Sequence, residues 1–325
     1  MMESGKIIIA GAGISGLTAA INLARWGRDV VIYEKRIGVG RRFNLDFQFL
    51  DNWVFSQDIL QFLKHLNVEI SFPHFPVFEG YVWDYNLKRY SFKVPVPFMY
   101  MVRRGWGEDC LDYHLYRQAL KYGVKFIFNK VPMADRVDIF ATGPDPKLST
   151  VLVEGISFDT DFDDCVHVLF KNEVSPDGYA YLVIFRGRGI ICVPYFKVDG
   201  SINYLERAVE LFKNLISLNI KDVKYFGNYG IPPLMVKNSR LIVGEAAGFQ
   251  DVLWGFGMRW AFYSGYLAAE CMDKGSDYWK SIRRSILPYV RTSILNRIVY
   301  EIVGDIGHRL MVRWLNSSCN LTKRV

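Results

Sequence analysis

A glycine-rich turn between an apolar strand and an amphipathic helix constrains this chain more than any other feature. Lys6-Ile-Ile-Ile-Ala10 reads as a short buried strand, Gly11-Ala12-Gly13-Ile14-Ser15-Gly16 as the turn, and Leu17 to Trp26 as a helix ended by Gly27. Asp29-Val-Val-Ile-Tyr33 supplies a second buried strand. The three glycines meet separate steric needs. Gly11 permits the tight turn, Gly13 the approach of a pyrophosphate, and Gly16 the close packing of helix on strand. The helix start then offers unpaired N–H groups and the positive end of its dipole to an anion. Glu34 ends the second strand, 23 residues after Gly11. A carboxylate there accepts hydrogen bonds from both ribose hydroxyls and repels a 2′-phosphate. Three glycines alone make only a turn, but strand, helix and terminal acid in register make a dinucleotide-binding unit.

The C-terminal half bears on which dinucleotide. Leu241-Ile-Val-Gly244-Glu245-Ala-Ala-Gly248-Phe249 reads as a strand running into a glycine turn, and Trp254-Gly255-Phe256-Gly257-Met258-Arg-Trp-Ala261 reads as the start of a helix. Asp138-Ile-Phe-Ala-Thr142-Gly143 is a further strand end, and Tyr100-Met-Val-Arg103-Arg104 precedes a helix beginning near Leu111. In that order these segments resemble the flavoprotein monooxygenase and geranylgeranyl reductase superfamily, over about residues 6 to 270. The resemblance implies FAD, held without a covalent link, with NAD(P)H or another reductant as electron donor. It also implies a cofactor-binding set of Gly11, Ala12, Gly13, Ile14, Ser15, Gly16, Glu34, Lys35, Arg41, Arg42, Arg104, Thr142, Gly143, Glu245, Gly255, Phe256, Gly257 and Met258. By the same resemblance Glu245 contacts the ribityl chain, and the helix start at Gly255 to Gly257 faces the flavin N1–C2=O region. Gly178-Tyr179-Ala-Tyr181, after Pro176-Asp177, is similar to a Tyr-x-Trp segment of the reductases.

The chain also departs from that pattern. Glu245 stands in place of the usual Asp, Asp251-Val-Leu where relatives usually have a Pro, and no Cys follows Arg42 as in archaeal geranylgeranyl reductases. The Trp-x-Trp-x-Ile-Pro segment of flavin halogenases is missing. No second glycine fingerprint and no Cys-x-x-x-x-Cys is present, which excludes the disulfide-reductase plan.

Length and patterning set the expected architecture. The 325 residues are 50% hydrophobic and 22% charged, enough for a sizeable core. The expected fold is α/β: a Rossmann-like FAD-binding domain with a parallel sheet, interleaved with an antiparallel-sheet substrate domain and followed by C-terminal helices. The FAD-binding domain is expected to be discontinuous, from residues 1–70, 100–150 and 236–275. The substrate domain takes 71–99 and 151–235, and a helical region takes 276–325. A helix is expected from Ser56 to Leu66 with Ser56 as its N-cap, and a meander from Phe78 to Val94.

Other chemistries find little support. His65, His74, His114, His167 and His308 lack metal-ligand spacing, so no metal is expected. No Gly-x-Ser-x-Gly elbow supports a nucleophilic triad. Five cysteines without Cys-x-x-Cys spacing exclude a disulfide scaffold and fit a reducing, cytoplasmic setting. The short apolar N-terminal segment is too brief for a signal h-region.

The aromatic stretch from Phe72 to Tyr100 has two readings, a half-buried sheet face or one wall of an apolar substrate cavity. Trp83, Tyr179, Tyr181 and Trp254 are the pocket residues of the second reading. Arg283, Arg284, Arg291, Arg297, Arg309 and Arg313 concentrate much of the net charge of +7 near the C-terminus. They read either as the solvated face of a helix pair or as a peripheral contact with anionic lipid, and nucleic acid is not needed to explain them. The function expected is hydride transfer to a hydrophobic substrate such as a prenyl lipid. An aromatic hydroxylase and a non-catalytic flavin-binding protein are the alternatives.

Overall fold

The apolar runs near the N-terminus carry no polar alternation, which is the pattern of strands buried on both faces of a parallel sheet. A computed structural model describes residues 5–43, 46–196, 202–231 and 240–321, with side chains to residue 304, and it shows that sheet. The side chains of His308, Arg309 and Arg313 therefore lie outside the described residues. The five strands lie in the order Leu241–Ile242, Ile139–Phe140, Ile7–Ala10, Val30–Tyr33, Lys125–Ile127, and every pair is parallel. Helix Ile14–Arg25 follows the central strand, and helix Met258–Lys274 packs against it. The two helices approach so closely that a Cβ at Gly265 would collide with the carbonyl oxygen of Ser15.

The chain divides into two units, one of 1–75, 100–149 and 231–295, the other of 76–99, 150–230 and 296–325. The expected boundary at 235/236 lies outside the described residues. Residues 276–295 group with the first unit, and those from 296 with the second. A small three-stranded sheet orders Phe47–Asp51, Met99–Arg103 and His74–Val77.

The second unit is built on seven strands in the order Lys221–Gly230, Val151–Asp159, Arg188–Tyr195, Ala180–Phe185, Cys165–Leu169, Glu79–Trp83, Arg89–Lys93. All neighbours are antiparallel except Cys165–Leu169 with Glu79–Trp83, which run parallel. One face is buried under helix Tyr204–Ile216, whose Ala208 and Phe212 join Phe158, Leu182 and Ile191 in a single apolar cluster.

Two local expectations change. The helix expected from Ser56 runs only from Ile59 to His65, and Asp58 caps it by accepting hydrogen bonds from the backbone N–H groups of Leu60 and Gln61. An ionised carboxylate at the N-cap is a stronger acceptor than a hydroxyl, so the start moves to Asp58. Strand Lys221–Gly230, unread in the sequence, is a polar and largely exposed edge strand with no alternating pattern to reveal it.

Candidate functional site

Strand Ile7–Ala10 delivers the glycine turn at the C-terminal end of the central strand of the parallel sheet. Gly11 adopts φ +106, and a Cβ there would collide with the carbonyl oxygen of Ala141 on the neighbouring strand. Gly16 lies against the carbonyl oxygen of Gly11, leaving no room for a side chain. Gly13 differs: it caps helix Ile14–Arg25, no side chain bonds to the helix's first amides, and a Cβ built on it meets nothing within 4 Å. The turn therefore presents open space and helix-start donors at one place, which suits a phosphate-bearing group. Glu34 closes the other side. Its Oε2 accepts from the Ala12 N–H at 2.9 Å and its Oε1 from the Arg36 N–H at 2.9 Å. A carboxylate has about four acceptor positions, so capacity for hydroxyl donors remains. Lys35 points to solvent, and Ile14 is buried in the core.

A second cluster adjoins this turn. Gly244 begins the short helical turn Gly244–Ala247, its N–H donating to Ser264 Oγ at 2.9 Å. A Cβ on Gly244 would lie 2.7 Å from Ser15 Oγ, so the two glycine motifs touch. Glu245 reaches Arg42 across 2.9 Å, with both side chains about a quarter exposed (25% and 30%). The same Arg42 guanidinium lies 3.6 Å from where a Gly143 Cβ would stand, and Glu245 Oε1 lies 3.6 Å from the corresponding point on Gly257. Arg42, Gly143, Glu245 and Gly257 thus converge.

The loop leading into helix Met258–Lys274 is held without proline. The Asp251 backbone bonds to Phe256 O and receives the Gly255 N–H, and its carboxylate accepts from the Trp254 N–H. Burial pushes the Asp251 carboxyl above its usual range. Gln250 donates to Gly255 O at 2.8 Å, while its buried Oε1 has no hydrogen-bond partner among the described residues. Gly257 begins the helix, again with no side-chain cap. An orphaned acceptor beside an uncapped helix start fits a bound group that both donates a hydrogen bond and carries negative charge. The residues present therefore fit a flavin dinucleotide.

Other expected site residues take different places. Arg41 lies exposed over the Trp106 ring at 5.4 Å. Arg104 is buried, with its Nε and Nη2 on Asp112 at 2.8 and 2.9 Å, its Nη1 on Gln48 at 2.8 Å, and its guanidinium 4.1 Å above the Phe43 ring. Those contacts hold its guanidinium in place, with Asp46 and Glu245 among the charges acting on it. Met258 is buried in the core, Phe256 meets the Trp53 ring edge-on at 4.7 Å, and Thr142 is exposed at the strand end.

The aromatic quartet is not a single wall. Trp83 shares a sheet face with Tyr81, His167 and Leu169, buried in the second unit's core, and its Nε1 donates to His167 Nδ1 at 2.9 Å. Tyr181 pairs with Val168 and Cys192 on the opposite face, its ring 6.2 Å from that of Tyr179. Trp83 is therefore a core residue, because strand register turns it away from Tyr181. Trp254 belongs to the first unit. Burial and the nearby Arg89 charge bring the His167 pKa down to about 4, so the ring is neutral at pH 7 with its proton on Nε2. No group of His, Cys, Asp and Glu among the described residues could hold a metal.

Several site residues carried no sequence signal. Gln250 and Ser264 are ordinary polar residues until the fold brings them to the glycine motifs. Gly265 is only a glycine inside a helix until it meets Ser15.

Comparison with known proteins bears on the first glycine unit and on the fold. Residues 9–55 match the model of an NAD(P)-binding Rossmann-like domain. A digeranylgeranylglycerophospholipid reductase from Methanosphaerula palustris is 34% identical over 130 residues, a match covering 36% of this chain and 32% of the reductase. The solved structure of a geranylgeranyl bacteriochlorophyll reductase-like protein from Thermoplasma acidophilum superposes with a TM-score of 0.73 at 16% identity. That superposition covers 96% of this chain and 91% of the other. At that identity the likeness is one of fold: the chain shares its fold with this geranylgeranyl reductase-like protein. The p-nitrophenol 4-monooxygenase of Pseudomonas putida also shares the fold, with a TM-score of 0.60 at 14% identity, over 96% of this chain and 98% of its own. The curated relative is matched over only about a third of its length, so what it acts on is not carried over by the match alone.

Proposed function

We propose that this chain is an FAD-dependent oxidoreductase acting on a hydrophobic, prenyl-lipid type of substrate. The observation that supports it most is the contact between the two glycine motifs through Gly244 and Ser15. A nicotinamide dinucleotide needs only the first turn. A second cluster of Arg42, Glu245, Gln250 and an uncapped helix start suits the longer reach of a flavin dinucleotide. The substrate class is supported by the likeness to the digeranylgeranylglycerophospholipid reductase of Methanosphaerula palustris. When bound, FAD supplies the hydride chemistry, with NAD(P)H or another reductant as the electron source.

The chain's own residues bind and orient. The turn at Gly13 offers backbone donors to a pyrophosphate, and Glu34, held by two amides, offers acceptors to ribose hydroxyls. Arg42 fixes the direction of Glu245. The amides at Gly257 and the helix dipole favour negative charge beside them.

The test begins with colour. Purified protein is expected to take up FAD and to show a bound-flavin spectrum, and a colourless protein that takes up none overturns the reading. Anaerobic reduction by NAD(P)H followed by reoxidation with a prenyl phospholipid supports the reductase, whereas oxygen consumption driven by an aromatic substrate points to a hydroxylase instead. Flavin that binds but is reduced by no donor indicates a non-catalytic role. Glu34→Arg puts a cation against the Ala12 N–H and is expected to weaken FAD binding on the order of a hundredfold. Unchanged affinity in a fluorescence titration would remove Glu34 from the site.

A further inference from the structure

The helix Leu287–Leu321 leaves one long face uncovered. Gly304, at φ 52 and ψ −151, interrupts it, so its first straight stretch ends at Val303. Two contacts show which side turns inward. Tyr300 donates from Oη to Gly178 O at 3.2 Å, and the Arg297 guanidinium lies 3.6 Å above the Phe196 ring while its Nε holds Glu301 at 2.8 Å. The opposite side carries Leu295, Ile298, Val299, Ile302 and Val303, exposed by 62%, 48%, 57%, 79% and 44%. Their spacing of three and four residues puts them on one stripe. Single exposed aliphatics are ordinary on a protein surface, but this many on successive turns of one helix mark a docking face.

Charge identifies what docks there. Arg291 is exposed one turn before Leu295, and Arg283 and Arg284 are exposed in the preceding helix Tyr278–Ser285. Arg283 lies 4.0 Å from the Asp277 carboxylate at the start of its helix, and the sole acid from 283 to 304, Glu301, is held by Arg297, which leaves the face a net positive charge. We infer that this face lies flat on an anionic lipid surface, with the aliphatic stripe at the acyl boundary and the arginines among the head groups. The stretch is about 25 Å long at 1.5 Å per residue, and among the described residues no helix is long and apolar enough to cross a membrane. A second copy of the chain meeting this face about a two-fold axis would bring the same arginines near one another, whereas anionic head groups neutralise them. The inference goes beyond the flavin reading and does not depend on it.

Vesicle sedimentation of the whole chain tests it with no flavin in the readout. The protein is expected to pellet with phosphatidylcholine vesicles containing phosphatidylglycerol, to pellet far less with phosphatidylcholine alone, and to be released by salt. The double variant Val299→Glu, Ile302→Glu changes two exposed side chains. It is expected to keep the wild-type melting temperature and flavin content while losing about tenfold or more of the partition. Wild-type protein that stays in the supernatant with both vesicles overturns the inference, as does a variant that pellets equally well. Equal pelleting on both vesicle types overturns the anionic selection. A wild-type dimer in analytical ultracentrifugation that the variant dissolves, without vesicle binding, assigns the face to a second copy instead.

Discussion

The glycine turn of the first unit and the aromatic sheet of the second obey different kinds of constraint. In the turn, residue identity is imposed by backbone atoms in direct contact: Gly16 against Gly11 O, Gly11 against Ala141 O. A side chain of any sort is excluded, so the motif means the same thing wherever it occurs. In the sheet, the role of each aromatic is imposed by register. Tyr81 and Trp83 face the core beside His167, while Tyr181, one residue out of phase across the ladder, faces the other way. A one-residue slip would exchange the two sets, and nothing local to either strand forbids it. Contact constraints can be read from a short segment, and register constraints need the whole sheet.

The comparison can be broken at several strengths. Gly16→Val forces two methyl groups and a Cβ against the turn backbone, and is expected to cost about 3 kcal/mol or more in stability and to abolish FAD uptake. A variant with wild-type melting and flavin content would mean that the turn relaxes, and the distinction would fail. On the sheet, the sensitive group is the neutral His167. Its folded pKa of about 4 lies below the ordinary 6.5, so its contribution is complete above pH 6.5 and is lost as the pH falls toward 4. Urea unfolding between pH 7 and pH 4 is expected to show a loss of up to about 3 kcal/mol from this ring. In His167→Gln, which can still accept from Trp83 Nε1, that acid-sensitive part is expected to vanish. Equal pH slopes in the two proteins would show that the ring titrates freely.

The smallest effect is expected at the second glycine motif, where polar pairing replaces steric contact. Glu245→Gln removes the charge from the partly exposed pair with Arg42 and is expected to lower stability by about 1 kcal/mol or less. A loss comparable to that of Gly16→Val would place this cluster with the rigid turn.

Much of the frame was legible before any coordinates. The first βαβ unit, the strand ahead of Gly244 and the helical character after Gly257 follow from apolar period and glycine punctuation, and they appear as Ile7–Ala10, Ile14–Arg25, Val30–Tyr33, Leu241–Ile242 and Met258–Lys274. Arg104 was named only through a resemblance, while the partner that holds it, Asp112, sits on the next helix and pairs with it through the fold. The start of the helix at Ile59 escaped because Ser56 and Asp58 both make caps. The choice rests on a carboxylate that also receives the Tyr100 hydroxyl at 2.7 Å, a residue 42 positions away. Lys221–Gly230 escaped because an edge strand needs no apolar alternation.

The sequence by itself determined the glycine turn and the acid that ends the second strand, since only local backbone geometry is needed there. Tertiary structure alone decided that the second glycine motif touches the first, that Gln250 leaves a buried acceptor without a partner, and that Trp83 belongs to a core rather than a pocket wall. Each of these depends on atoms far apart in the chain meeting within a few ångströms, and composition and periodicity cannot encode such a meeting. The basic C-terminal region shows the same division. Its charge was countable, but the uncovered aliphatic stripe beside it emerged only once Arg297 and Tyr300 had turned the helix inward.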